Sequence, residues 1–188
     1  SKLLVLDSPV LTNGDWDRLR AHFGDQCAEI DCTFPVGDDP DDLREAIRRI
    51  RYEAEQAVRA GCTELFLTDE HVSESRVAIA GVLAAAAVHT HLVRRGLRSY
   101  ASVNVRSSEC LDTHYYAVLI GVGATTVNAY LTEASIADRH ARGLFGDIAL
   151  EECLKRHRKA IDEGLLKIMS KMGIAVISSY RGGYNFEA

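Results

Sequence analysis

Residues 64–105 have the sequence ELFLTDEHVSESRVAIAGVLAAAAVHTHLVRRGLRSYASVNV, and this segment is the clearest indication of the fold class of the chain. It opens with a short apolar run, Glu64–Thr68, and closes with another, Arg98–Val105. The residues between them predict a helix over about Ser75–Arg95, which stops at Gly96. Parallel strands need a long crossover of this kind, whereas a hairpin joins antiparallel strands through a short turn. We therefore predict a parallel βαβ unit.

The same alternation of strand and helix extends toward both ends of the chain. Further strands are predicted at Lys2–Leu6, Ala28–Thr33, Thr125–Asn128 and Ile174–Ile177. Further helices are predicted from Asn13, from Asp39-Pro40 to Gly61, from Ser108, after Asn128 to about Arg142, and over Leu150–Lys171 with an interruption at Gly164. This order predicts the α/β class, with a parallel βα-repeat that forms an open sheet or a degenerate or partial (β/α) barrel-like domain.

Composition excludes several classes of protein. The chain has 188 residues, of which 47% are hydrophobic and 26% charged, so it can bury a core and is not a disordered sequence. A formal net charge of −5 predicts no broad basic surface, and therefore no nucleic-acid or anionic-membrane partner. The apolar run Val77–Val88 is too short for a membrane span, which needs ~20 residues. Its alanines on every face predict a helix buried on more than one side.

The five cysteines predict reduced thiols and not a metal site or a disulfide framework. They are scattered, and the closest pair is a C-x4-C arrangement without a nearby histidine or second pair. Cys32 lies in a strand-like stretch and Cys110 in a helical pattern, where free cysteine packs as a small apolar side chain. No signal peptide is visible, so we expect a cytoplasmic protein. The full set is Cys27, Cys32, Cys62, Cys110 and Cys153.

The carboxyl ends of the predicted strands are where chemistry is expected in a parallel α/β fold. Asp69, Glu70 and His71 are the best metal or acid–base candidates among them by residue type. Adjacent residues point in different directions, however, so capping and loop hydrogen bonds are the better interpretation. The strand-end side chains are Asp7, Ser8, Asp69, Glu70, His71, Asn104, Arg106, Asn128 and Tyr130.

Three other motifs have structural interpretations. His89 and His91 are two apart on a helix and cannot share a ligand. The GVGATT segment with Gly121 and Gly123 follows a helix and precedes a strand, which is the reverse of a phosphate-binding loop. The charges of residues 151–163 alternate in sign and predict a solvated, salt-bridged helix face. The residues alone thus predict a soluble parallel α/β domain with no complete catalytic, cofactor-binding or metal-binding set.

Five segments resemble the large chain of the glutamate synthase family, in the same order and over the whole length. They are LDSPVLTN at 6–13, LFLTDEHV at 65–72, AAAAVHTHLVRRGLRS at 84–99, GVGATTVNAYL at 121–131 and GLLKIMSKMGIAVISSYRGGYNFEA at 164–188. The resemblance implies that residues 1–145 are the second part of the family's central domain. It implies that residues 146–188 begin the FMN-binding synthase domain, and a rise in charge density near Leu150 agrees with that boundary.

The resemblance also implies an activity for the parent enzyme, which makes glutamate from glutamine and 2-oxoglutarate. An N-terminal cysteine of an amidotransferase domain releases ammonia, which is channelled to an FMN site for reductive amination. Electrons come through an iron–sulfur cluster from NADPH, by way of a small NADPH-oxidising subunit, or from ferredoxin. The central domain of the family is similar to a degenerate (β/α) barrel and couples the two sites. The resemblance places no catalytic, cofactor-binding or metal-binding residue in this chain, which is expected to be inactive alone and to bind no flavin.

Two other classes of function remain open at this point. A stand-alone metal-dependent α/β enzyme would use Asp7, Asp69 and His71, although their spacing is poor for ligands. A binding or regulatory module without catalysis is the second alternative. Because the tail from Lys167 to Ala188 is rich in apolar residues, we also expect the chain to self-associate or to fold this tail back on its own core.

Overall fold

The structure, a computed structural model, describes residues 4–186, and a sheet of five parallel strands forms its centre. The strands are β1 (Val10–Leu11), β2 (Cys27–Asp31), β3 (Thr33–Pro35), β4 (Glu64–Thr68), β5 (Arg76–Ala78), β6 (Ser102–Arg106) and β7 (Thr126–Asn128). The helices are α1 (Asn13–Phe23), α2 (Asp42–Arg59), α3 (Gly81–Arg94), α4 (Thr113–Gly121), α5 (Tyr130–Ala141), α6 (Leu150–Lys171) and α7 (Ile177–Tyr180).

The central sheet has the strand order β1-β7-β6-β4-β2, and all its pairs are parallel. This confirms the predicted parallel βα-repeat. The sheet has two edges, β1 and β2, so its strands form an open sheet and do not close into a barrel. Strands β3 and β5 form a separate antiparallel pair.

The two faces of the sheet have different coverings. Leu65 and Leu67 of β4 lie in the main core beneath α2, α3, α4 and α6. Phe66 faces the other way and packs against Trp16 and Leu19 of α1, with the Trp16 and Phe66 ring centroids 4.8 Å apart. This alternation follows from the two-residue period of a strand. The second face also carries the polar side chains of β4, β6 and β7, which determine where a site can form.

Helix α3 is buried on several sides, as its alanine-rich sequence predicts. It packs between α2 and α4 and against β6. Small side chains permit this close approach, and its fully buried residues include Ala85, Val88 and Leu92. The predicted start at Ser75 is wrong, however. Residues 76–78 form β5 because they pair antiparallel with β3, and the Arg76 guanidinium adds hydrogen bonds to Asp31 and Thr33.

Two predicted strands are wrong within the described residues. Ile174–Ile177 does not form a strand, and Ile177 instead begins the short helix α7. A short apolar run predicts burial but does not distinguish a strand from a buried helical turn. For Lys2–Leu6, residues 1–3 lie outside the described part, and residues 4–6 are not in a strand.

Helix boundaries give three more corrections. Helix α6 is continuous through Gly164, where a Cβ atom would lie 2.5 Å from Cγ2 of Thr113, so this glycine permits close packing on α4 and does not interrupt the helix. Ser108 does not cap α4; the carboxylate of Asp112 does, accepting from the Tyr115 backbone N–H at 2.8 Å. Cys110 is buried, but in the loop before α4 and not in a helix.

The described part of the tail, residues 167–186, packs partly on the domain's own core, while Met172, Val176 and Tyr184 stay exposed. This agrees in part with one of the two outcomes expected from its apolar residues. The Tyr180 side chain is 1% exposed and belongs to the same buried cluster as Leu165 and Met169 of α6. Phe186 packs against it from the side, with ring centroids 6.3 Å apart. Among residues 4–186, no helix is both long and apolar enough to cross a membrane.

Candidate functional site

A polar cluster lies at the carboxyl ends of β4, β6 and β7, centred on Arg106. The Arg106 residue is 8% exposed, and its Nε donates to Oδ1 of Asn128 at 2.7 Å. Its Nη1 donates to Oε1 of Glu70 at 2.8 Å. The cluster therefore joins three neighbouring strands, because the carboxyl ends of parallel strands lie along the same edge of a sheet.

The Arg106 guanidinium lies over two aromatic rings. The carbon Cζ of Arg106 lies 4.7 Å from the ring centroid of Trp16 and 5.8 Å from that of Tyr130. Cation–π attraction is strongest for tryptophan and increases when water is excluded. With two hydrogen bonds and two rings, the guanidinium is fixed in place. This arrangement stabilises the sheet edge and leaves little of the cation free for a ligand.

Asp69 is the most deeply buried carboxylate of this cluster, at 2% exposure. Its Oδ2 accepts from the backbone N–H and the hydroxyl of Ser108, both at 2.8 Å. Its Oδ1 has no hydrogen-bond partner within the described chain. Burial, followed by the nearby Asp69 charge, raises the pKa of Tyr130, so its phenol stays protonated at neutral pH.

A second chain of hydrogen bonds continues from Asn128 to α1 and α5. The Asn128 amide donates to the backbone oxygen of Leu11 and to Oδ1 of Asn13, both at 3.0 Å. The Asn13 backbone N–H donates to Oε2 of Glu133 at 2.8 Å. Burial raises the pKa of Glu133. The network thus ties β1, α1 and α5 to the strand ends.

Several strand-end residues lie outside this cluster. Asp7 is exposed, and Ser8 is buried with its hydroxyl donating to Oδ1 of Asp162 on α6 at 2.5 Å. His71 is exposed and contacts Glu29 at 3.0 Å, which raises the pKa of the imidazole. Asn104 is buried but lies deeper on β6, with its amide donating to Glu64.

The metal interpretation of Asp7, Asp69 and His71 has no geometric support. No group of three His, Cys, Asp or Glu side chains in residues 4–186 could hold a metal ion. All five cysteines are free thiols, and burial followed by the charge of Asp31 raises the pKa of Cys32 to about 12. Iron–sulfur clusters are ligated by cysteine thiolates. The described residues therefore do not fit a cluster.

The remaining motifs have the structural roles that their patterns indicate. Gly123 has a φ of +125° in the turn between α4 and β7, so GVGATT ends a helix and does not cradle a flavin phosphate. His91 contacts Glu55 at 2.7 Å while His89 contacts Arg98, so the two imidazoles face different partners. On α6 the expected ion pairs include Arg156 with Glu152 at 2.8 Å.

The sequence did not identify Trp16, Ser108 or Glu133 as members of the cluster. Trp16 lies on the buried face of α1, and its contact with Arg106 depends on α1 crossing the sheet. For Ser108 the available sequence signal was the run of polar residues at the end of β6, since Ser108 follows Arg106 by two positions. For Glu133 no local signal existed, since it lies 120 residues from its partner Asn13.

The comparisons with known proteins agree on one family. A family model described as the glutamate synthase central domain matches residues 1–188. The chain is 61% identical over its whole length to the large chain of glutamate synthase (NADPH) from Azospirillum brasilense. It is 37% identical over 98% of its length to the corresponding large chain from Bacillus subtilis, and 36% identical over its whole length to the ferredoxin-dependent glutamate synthase of Pyropia yezoensis. The chain spans only 12–13% of the length of these relatives.

Proposed function

This chain belongs to the glutamate synthase family, through its central domain, and on that premise we propose that it is a part of a glutamate synthase large chain. The observation that carries the proposal is the family match over residues 1–188 together with 61% identity over the full chain. The parent enzyme would be an oxidoreductase of glutamate biosynthesis. It would make L-glutamate from glutamine and 2-oxoglutarate by amide hydrolysis, ammonia channelling and FMN-dependent reductive amination.

In that enzyme we infer a coupling role for this domain, between the amidotransferase site and the FMN site. The polar groups at the strand ends support this role because they bond to one another across several elements. Arg106 alone joins β6 to β4 and β7 and contacts α1. A rigid spacer of this kind would hold two distant sites in a fixed relation and keep water out of the path between them.

The cofactors and partners of the proposed parent lie in its other domains. FMN and an iron–sulfur cluster would be held there, and electrons would come from NADPH through a small subunit or from ferredoxin. The 61% identity to an NADPH-dependent relative favours NADPH. We further propose a cytoplasmic location and no nucleic-acid or membrane partner. The chain alone would be inactive.

The central-domain family model extends over all 188 residues, and within that stretch we propose a boundary near residue 145, with residues 1–145 in the central domain and residues 146–188 at the start of the FMN-binding domain. The long helix α6 begins at Leu150, soon after this boundary, and packs on α4 and α5. The second part would therefore dock firmly on the first.

The coupling role can be tested in the proposed parent enzyme with Arg106→Gln. This change removes the cation that bonds Glu70 and Asn128, and we expect part of the ammonia from glutamine to escape. The measurement is the ratio of glutamate formed to glutamine consumed, together with free ammonia. Arg142→Gln is the control, since Arg142 is exposed and, among residues 4–186, forms an ion pair only with Asp138 on α5.

Unchanged coupling in a folded Arg106→Gln enzyme would contradict the coupling role. A separate experiment tests whether this chain is an inactive part of a larger enzyme. The purified 188-residue chain should show neither flavin absorbance nor glutamine hydrolysis, whereas the parent should show both. Activity or bound flavin in the isolated chain would contradict the proposal that catalysis and flavin binding lie in other domains. The chain would then be a stand-alone protein.

A further inference from the structure

A large groove lies at the opposite edge of the sheet, at the amino ends of β4, β6 and β7. Its volume is about 990 Å³, which is at the upper end of the range for small-molecule sites. The floor is formed by the first residues of the three strands, Glu64, Ser102 and Thr126, and α1 forms one wall. None of the groups at the Arg106 cluster contributes to it.

Two arginines that lack carboxylate partners line one end of this groove. Within residues 4–186, no Asp or Glu lies within ion-pair distance of Arg98 or Arg181, although both are partly buried. Burial and the charge of Arg181 lower the pKa of Arg98 to about 10, and burial also lowers the pKa of Arg181. Glu64 lines the floor, but it accepts a hydrogen bond from Asn104, and burial raises its pKa.

The hydrogen bonds at this end leave donors without acceptors. Arg98 donates Nε to Nδ1 of His89 at 2.9 Å and its Nη groups to the backbone oxygens of Ala101 and Gly123, so it is fixed. Arg181 uses Nε and Nη2 on the backbone oxygens of Ala124 and Thr125. Its Nη1 has no acceptor in the described chain.

His89 adds a second free donor. An arginine can only donate, so Nδ1 of His89 must accept and the proton of the neutral ring lies on Nε2. Burial, followed by the charges of Arg98 and Arg181, lowers the pKa of His89 to about 4, which keeps the ring neutral at pH 7. No acceptor for Nε2 is present in residues 4–186.

We propose that this end of the groove binds a small free oxyanion, a molecule carrying a carboxylate or phosphate group, on Arg181 Nη1 and His89 Nε2. Two guanidinium groups that repel each other gain from an intervening anion, and charge-assisted hydrogen bonds to arginine are among the strongest in proteins. Arg98 holds the His89 tautomer and is a positioning residue. This proposal is independent of the parent enzyme's activity.

The test is calorimetric titration of the purified 188-residue chain with inorganic phosphate and with succinate, using chloride as the control at matched ionic strength. We expect saturable binding of one equivalent of at least one of the two oxyanions, with a Kd of about 1 mM or tighter. Arg181→Gln should weaken binding at least tenfold. Arg142→Gln removes an equal charge at a residue that does not line the groove and should leave the Kd unchanged.

Two further measurements guard against misfolding and non-specific binding. Arg181→Lys keeps the charge with fewer donors and should bind more weakly than wild type but more tightly than Arg181→Gln. The ¹⁵N resonance of His89 Nε2 should shift on titration in the wild-type chain. Absence of saturable binding, or equal loss in Arg142→Gln, overturns the proposal; the free donors would then suit an acidic side chain of another polypeptide segment.

Discussion

Replacement of Tyr180 tests whether the tail is part of the core. The side chain is 1% exposed, and its ring packs among Leu165, Met169 and the ring of Phe186. Truncation of a buried aromatic residue to alanine costs about 3–5 kcal/mol of unfolding free energy, through lost transfer energy and the cavity left behind. We therefore expect Tyr180→Ala to lower stability by about this amount, which corresponds to a fall in Tm of roughly 10 °C for a domain of this size.

The hydroxyl of the same residue allows a second, opposite prediction. Its Oη atom is buried and has no hydrogen-bond partner in the described chain, and burial raises the pKa of the phenol. Leaving a buried polar group unpaired costs about 1–3 kcal/mol. Tyr180→Phe should therefore be neutral or stabilising by up to about 1 kcal/mol, because it keeps the ring and removes the unpaired group.

Urea unfolding followed by the fluorescence of Trp16, the single tryptophan, measures both variants. Tyr184→Ala is the matched control, since Tyr184 lies in the same tail but is 83% exposed. Its unfolding free energy should stay within about 0.5 kcal/mol of wild type. A Tyr180→Ala cost below about 1 kcal/mol would refute the packed tail. Clear destabilisation by Tyr180→Phe would show that the hydroxyl has a partner.

Three further predictions concern single side chains or glycines. The pKa of His89 in the folded chain, about 4, lies below its ordinary value of 6.5. As the pH falls, the His89 imidazole is therefore protonated in the unfolded chain before it is protonated in the folded chain. The free energy of unfolding should fall as the pH drops from about 6.5 to 4. After allowance for solvent contact, this decrease in unfolding free energy is about 1–2 kcal/mol. In His89→Gln the urea midpoint should no longer show this contribution to its pH dependence. Gly123→Ala should lower the Tm strongly in calorimetry, because the new Cβ would lie 2.2 Å from Cγ of His89. Gly143→Ala is the control: its Cβ would meet no atom, so only the positive φ is unfavourable and the loss should be about 1 kcal/mol. Asp112→Ala removes the cap of α4 and should cost about 1 kcal/mol in the same assay, with Asp112→Asn near wild type; equal losses would mean that the cap does not matter.

Local patterns were sufficient where the cause of the structure is local. The strand Glu64–Thr68 and the stop of α2 before Gly61 agree with the sequence prediction, since a short continuous apolar run and a positive φ at glycine depend on neighbouring residues alone. The strand β5 at Arg76–Ala78 was missed because its partner β3 lies about forty residues away. Pairing between distant segments has no signature in either segment.

The sites show the same division. The parallel α/β class could be predicted from the sequence. So could the position of Asp69, Arg106 and Asn128 near one edge of the sheet, because the carboxyl ends of parallel strands lie at the same edge. The contacts of Arg106 with Asn128 and Trp16 could not be predicted, since they depend on the order of the strands and on the position of α1 across the sheet. No sequence pattern predicts the groove that Arg98 and Arg181 line. Hydrogen bonds and charge interactions depend on distances in the folded structure, and these cannot be read from the separation of two residues along the chain.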